Sequence, residues 1–170
     1  VSYGGNYYAI VDPQENFSGV HDYNASKIIS LSKILREKIN AKYKDHFVHP
    51  ENETIRDVSH MLWTGNPLDP SSSGRNAVFY GDKAIDRSPC GTGTSARIAQ
   101  LHSKGIIQPH TDFIHESFIG SKFIGRVEEV TRVGDFEAVI PSIKGWARVY
   151  GHNTMTIDTE DPYAFGFQVL

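Results

Sequence analysis

Only one long stretch of the chain repeats its apolar residues at helical spacing. Ile28, Leu31, Leu35 and Ile39 fall on one side of residues 25–42, with Lys27, Lys33, Glu37 and Lys38 mostly outward. This predicts an amphipathic helix on an outer surface, with Asn24 or Ser26 as its N-cap. Elsewhere the apolar positions come in short runs. Tyr7-Tyr8-Ala9-Ile10-Val11, behind two glycines, predicts a mostly buried strand over residues 3–11, closed by Asp12-Pro13. Residues 56–63 and 76–80 predict short strands separated by Gly-, Pro- and Ser-rich loop chemistry. Beyond residue 112, pieces such as 113–114, 138–140 and 155–157 alternate with glycines and predict further β structure. A second helix is predicted over residues 95–104, with Gly105 as its C′ residue. It is short and apolar on nearly every side, as an enclosed helix would be. The expectation is a single β-rich α+β domain over residues 1–170, without repeats or linkers.

Composition narrows the classes of function. Apolar residues make up 39% of the 170 residues and charged ones 22%, which suits an ordinary folded core rather than disorder. Lys and Arg number 17 against 20 Asp and Glu, with no basic block, so nucleic acid is a poor choice of partner. No apolar run is long enough to span a membrane. The single cysteine excludes an internal disulfide and a Cys-based zinc site. The chain begins at Val1 and shows no secretory signal pattern, which reads as an internal start and gives a cytoplasmic location as the expectation.

That cysteine stands in Asp86-Arg87-Ser88-Pro89-Cys90-Gly91-Thr92-Gly93-Thr94, directly before the second helix. Glycines allow a tight turn and close approach to a ligand. A helix N-terminus offers N–H groups without intrahelical partners and a partial positive charge, a natural seat for a carboxylate or phosphate. The same field favours a thiolate, so Cys90 is a candidate base or nucleophile. Asp86 is a candidate partner for the cationic amine of the same ligand. Together these residues describe a site for an amino acid. The alternative is a small buried cysteine beside an ordinary Gly-rich turn. The segment is neither a P-loop nor a dinucleotide fingerprint, since the Gly-Lys-Ser/Thr ending and the third glycine are missing.

The string Asp86-Arg-Ser-Pro-Cys90-Gly-Thr-Gly-Thr-Ser-Ala96 resembles the second active-site motif of the proline racemase family. This family comprises proline racemases, 4-hydroxyproline 2-epimerases and 3-hydroxyproline dehydratases. The resemblance continues through residues 3–11, 76–81, His115-Glu-Ser117, 140–147, Gly151-His-Asn-Thr154 and 161–167. It therefore covers nearly the whole chain, and it is greatest to the 4-hydroxyproline 2-epimerase branch. The resemblance implies two pseudo-symmetric lobes, each a β-rich partial barrel around a central helix, as in diaminopimelate epimerase-like folds. The substrate, hydroxyproline or proline, lies between them. No cofactor and no metal are implied, and a homodimer is usual. One cysteine per lobe exchanges a proton with Cα, so Cys90 is implied as one of two acid–base groups. The backbone N–H groups of Gly91 and Thr92 are implied as carboxylate binders, and Asp86 as the partner of the ring nitrogen. His60 is a further candidate for contact with the substrate nitrogen or hydroxyl, the alternative being a half-buried strand histidine.

The family's first motif, a Cys followed by Gly and His, has no counterpart in this sequence. The chain is accordingly expected to be a C-terminal lobe whose N-terminal partner lobe is absent, and to be inactive alone. The leading reading is 4-hydroxyproline epimerisation at Cα. Proline racemisation and 3-hydroxyproline dehydration remain alternatives, the last disfavoured because such dehydratases commonly carry Thr in place of Cys90. A non-catalytic half-site that only binds is the alternative from another class. His46, His49 and His115-Glu116 lack zincin spacing. The sequon triplets at Asn16, Asn24 and Asn52 are read as chance matches. Trp63, Trp146 and the tyrosines of the opening strand are expected in the core or at the lobe interface. Tyr80 is expected mainly as core packing.

Overall fold

Ten strands and two α-helices, with one turn of 3-10 helix at Val20–Asp22, follow one another in the computed structural model, which describes residues 1–168. In chain order they are β1 (Ser2–Tyr3), β2 (Tyr7–Val11), α1 (Ala25–Lys42), β3 (Val48–His49), β4 (Asn52–Arg56), β5 (Val58–Gly65) and β6 (Gly74–Tyr80). Then come β7 (Ala84–Ile85), α2 (Gly91–Ser103), β8 (Phe113–Glu116), β9 (Lys122–Val133) and β10 (Phe136–Lys144). The main sheet runs β1-β2-β5-β6-β8-β9-β10, with β7 also on β6, while β3 and β4 form a separate ribbon. Two neighbouring pairs are parallel, β2 with β5 and β6 with β8. Parallel pairing needs a long crossover. The first carries α1 and the second carries α2.

Side-chain alternation sends the two helices to opposite faces. Ala9, Met61, Trp63, Ala77 and Phe79 form one buried cluster with Ile28 of α1. Tyr8, Leu62 and Val78, the residues between, form another with Ala96 of α2. Central strands covered on both sides lose the apolar–polar alternation of a half-exposed strand, which is why Met61-Leu62-Trp63 of β5 and Ala77-Val78-Phe79 of β6 are uninterrupted apolar runs. α1 is fastened to β5 by specific bonds. The indole N–H of Trp63 donates to Ser32 Oγ at 2.8 Å, and the Asn40 amide bonds both backbone groups of Val58 at 2.9 Å. Its N-cap is Asn24, whose side chain accepts from the Lys27 N–H at 2.9 Å.

α2 is the enclosed helix. It packs against β1 and β2 at one end of the sheet and against β9 and β10 at the other. The sheet thus curls around it as a partial barrel. A Schellman motif ends the helix: Gly105, at φ 70°, donates to His102 C=O and Ile106 donates to Leu101 C=O.

Several expectations change. The strand expected over residues 3–11 is a tight β1–β2 hairpin, turned at Gly4-Gly5-Asn6. A Cβ on Gly4 would collide with the Thr92 carbonyl oxygen and the Ala96 nitrogen, so the hairpin rests directly on the α2 backbone. The strand expected over 56–63 breaks at Asp57, which takes φ 62°. Residues 155–157 are not a strand. Residues 145–168 hold no helix or strand, and Trp146, Val149, Tyr150, Met155, Phe165 and Phe167 are exposed. A β-prone segment becomes a strand only where an edge pairs with it. Trp63 is core, whereas Trp146 is not.

Candidate functional site

Cys90 is the N-cap residue of α2, at φ 66° and ψ 121°. A left-handed backbone at a residue other than glycine costs on the order of 1–3 kcal/mol and survives only where its surroundings fix it. Here they do. The Asp86 carboxylate accepts the Ser88 N–H at 2.8 Å, and Ser88 Oγ accepts the Cys90 N–H at 3.0 Å. The carbonyl of Pro89 is taken from below by the Asn76 amide at 2.8 Å and the Thr94 hydroxyl at 3.3 Å. Ser121 Oγ holds the Arg87 carbonyl at 2.9 Å. Beneath Thr94 lies His115, only 1% exposed, with Nδ1 3.0 Å from Thr94 Oγ1. Burial first, and the charge of Arg97 second, push this histidine down to about 3. It stays neutral at ordinary pH, and Nδ1 lies within hydrogen-bond reach of both the Thr94 hydroxyl and the Asn76 amide.

The helix starts at Gly91, four residues earlier than the sequence pattern suggests, since Gly-Thr-Gly reads as turn chemistry. The first bond of the helix is Thr94 N–H to the Cys90 carbonyl. The N–H groups of Gly91 and Thr92 precede it and have no intrahelical acceptor. The two glycines differ in purpose. A Cβ on Gly91 would meet nothing within 4 Å, so that side of the turn is open to a ligand. A Cβ on Gly93 would press on Cys90 Cβ at 3.2 Å, Cys90 Sγ at 3.3 Å and the Tyr8 ring at 3.3 Å. Gly93 makes room for the thiol.

Tyr8, a residue not singled out from the sequence, joins these parts. It is wholly buried, yet its hydroxyl lies 2.6 Å from Thr92 Oγ1 and 3.3 Å from Cys90 Sγ. Its ring centroid is 4.9 Å from that of His60. The signal that marks Tyr8 is strand parity: with Ile10 it points to the α2 side, while Tyr7 and Ala9 join the α1 cluster. Burial, then Cys90 beside it, push the Tyr8 phenol well above its usual range, so it remains a hydrogen-bond donor.

His60 is half-buried, and Nδ1 is 2.7 Å from Ser59 Oγ. Burial and the Arg36 charge push its pKa down, against a smaller upward pull from Asp86. Asp86 thus lies near enough to act on both His60 and Tyr8. Tyr80 is 43% exposed and stacks on His60 at 6.5 Å, bordering the site instead of filling the core. Cys90, Gly91, Thr92, Asp86 and His60 therefore gather at one end of α2, on its mouth and the strands beside it. Among the described residues no three His, Cys, Asp or Glu side chains converge as a metal-binding group, and no helix is long and apolar enough to cross a membrane.

Comparison with known proteins gives the chain a family. The pattern of the proline racemase family matches residues 1–168. The 4-hydroxyproline 2-epimerase of Shewanella loihica is 59% identical over 170 residues, and that of Spirosoma linguale 57%; in each case the match covers 100% of this chain and 50% of the relative. The chain thus spans about half the length of these relatives. Among solved structures, a hydroxyproline epimerase from Agrobacterium vitis with bound trans-4-hydroxy-L-proline superposes with a TM-score of 0.75 at 32% identity, covering 98% of this chain and 47% of that one. A probable proline racemase from Agrobacterium radiobacter with bound carbonate gives 0.76 at 32% identity, over 98% and 48%. With a match running from Val1 to within two residues of its end, and the partial barrel to go with it, the chain belongs to the proline racemase family.

Proposed function

We propose that this chain is one lobe of a 4-hydroxyproline 2-epimerase and supplies Cys90 as one of two acid–base groups acting on Cα. The observation that carries the reading is the half-exposed thiol at the mouth of the buried helix α2, with Asp86, His60 and free backbone donors around it. A homologous epimerase with trans-4-hydroxy-L-proline bound, and relatives of that name at 57–59% identity, support the choice of substrate.

The chemistry follows from the groups present. The α-proton of a zwitterionic amino acid is weakly acidic, so the developing carbanion needs fixed positive potential nearby. The Gly91 and Thr92 N–H groups and the helix field hold the carboxylate and draw electron density toward it. Asp86 keeps one oxygen clear of the Ser88 bond for the ring ammonium. The Cys90 thiolate takes the α-proton: the C–H bond breaks, an S–H bond forms, and the electron pair spreads into the carboxylate. A proton delivered to the opposite face completes inversion. This chain has one cysteine, so the second group belongs to the partner lobe. A thiol that must stay reduced to exchange protons suits the cytoplasm. His60, whose neutral form burial favours, meets the substrate nitrogen or hydroxyl in this reading.

A chimera joining this chain to the half of the Shewanella loihica enzyme that it does not match tests the proposal. In deuterated water the chimera should epimerise trans-4-hydroxy-L-proline with deuterium entering at Cα, while this chain alone and a Cys90→Ser chimera should not. Turnover by either of the latter refutes the two-lobe account.

A further inference from the structure

We propose that Tyr8 is the positioning residue for the Cys90 thiol, its hydroxyl turning between Sγ and Thr92 Oγ1 as the thiol loses and gains a proton; this rests on the acid–base reading of Cys90. The three groups form a closed triangle, with Tyr8 Oη 2.6 Å from Thr92 Oγ1 and 3.3 Å from Cys90 Sγ, and Cys90 to Thr92 at 3.6 Å. A phenol carries one proton, and its oxygen also accepts. When Sγ is a thiolate, the Tyr8 O–H donates to it and the Thr92 hydroxyl donates to Tyr8 Oη. When Sγ has taken a proton from Cα, the Tyr8 O–H turns to Thr92 Oγ1, and the S–H is left free to return its proton to carbon. Tyr8 gains and loses no proton in either state. Its complete burial and its place between β5 and α2 fix the oxygen while the hydrogen moves. An acid–base thiol needs both of its states supported, and a rotating hydroxyl pair does so without moving a heavy atom.

The titratable and charged groups around the triangle are Asp86 from the incoming loop, His60 from β5, Tyr80 of β6 stacked on His60, and Arg36 of α1, whose charge reaches His60. Arg97 of α2 is turned away, bonded to Asp12 and Gln100. None of these groups is hydrogen-bonded to the Tyr8 oxygen, whose partners are Cys90 and Thr92, and all of them remain when it is removed.

The test is the pH profile of Cys90 alkylation by iodoacetamide in the 170-residue chain. A hydrogen bond to the charged form stabilises it, so Tyr8→Phe should move the midpoint to higher pH by about one unit. Tyr7→Phe, which faces the other side of β2, should leave it in place. An unchanged midpoint in Tyr8→Phe, or one moved to lower pH, overturns the proposal. If Tyr8→Phe fails to fold, replacing the tyrosines with 3-fluorotyrosine decides instead. That phenol has the same shape and donates more strongly, so the midpoint should fall; no movement or a rise overturns the proposal. Alkylation uses no substrate, so this result is independent of the epimerisation test, which fails separately if Cys90 has no acid–base role.

Discussion

Substituting His115 with glutamine should remove much of the chain's sensitivity to mild acid. The folded protein holds this imidazole neutral down to about 3, whereas in the unfolded chain it protonates near 6.5. Between these values the unfolded state binds the extra proton, so stability rises with pH and is lost as pH falls from about 6.5 toward 3. Going from pH 7 to pH 5, a histidine with those two values contributes a loss of about 2 kcal/mol. The cause is visible in the structure: the ring is 1% exposed, Nδ1 faces the Thr94 hydroxyl and Asn76 amide, and Arg97 opposes a second positive charge. Glutamine keeps an acceptor for Thr94 and cannot become cationic. Urea denaturation at pH 7, 6 and 5 for both proteins reads the difference. His60, also held below its usual value, is unchanged between the two proteins and cancels in the comparison. Asp12 and Asp69 are held below the carboxylate range and lose their contribution only at lower pH. His115→Gln should be less stable than the parent at pH 7 but lose about 2 kcal/mol less on acidification. An equal loss in the two proteins refutes the reasoning.

Two glycines near Cys90 should behave in opposite ways. Gly4→Ala drives a Cβ into the Thr92 carbonyl and the Ala96 nitrogen, so a chemical-denaturation midpoint should show a loss of about 3 kcal/mol; Gly91→Ala, with open space around it, should stay within about 0.5 kcal/mol yet weaken substrate binding in the chimera. Trp63→Phe removes the only donor to buried Ser32 Oγ among the described residues, and should cost about 1–3 kcal/mol in the same assay. Replacing Tyr150, Met155, Phe165 and Phe167 with serine should leave the midpoint within about 0.5 kcal/mol and reduce binding of a hydrophobic fluorescent dye, because all four are exposed.

The parts legible in the sequence were those in which one kind of periodicity governs a whole element. Residues 25–42 form α1 as expected because one face meets the sheet and the other meets water. The enclosure of α2 was likewise visible in its apolar surface, and Cys90 in a highly specific string. The start of α2 was not visible, because Gly-Thr-Gly is a poor helix former and adopts the helix under tertiary burial of Gly93 and Thr94. The hairpin at Gly4-Gly5-Asn6 was hidden for a similar reason: its necessity lies in the α2 backbone, some ninety residues away in the chain. Tyr8 looked like any aromatic strand residue, and its hydroxyl gains meaning only from a partner 82 positions distant. Residues 155–157 show the reverse error, with β-prone composition and no edge to pair with.

The way the sheet closes also sets when the thiol's surroundings exist. α2 is walled by β1 and β2 on one side and by β9 and β10 on the other, strands drawn from residues 2–11 and 122–144. Contacts so distant in sequence form late, after the loop-closure entropy between them has been overcome. During synthesis, a ribosome-bound chain that has released Cys90 but not yet β10 carries α2 with one of its two walls missing. The enclosure of the helix that presents the thiol is therefore a property of the finished lobe, complete only once β9 and β10 have closed against it.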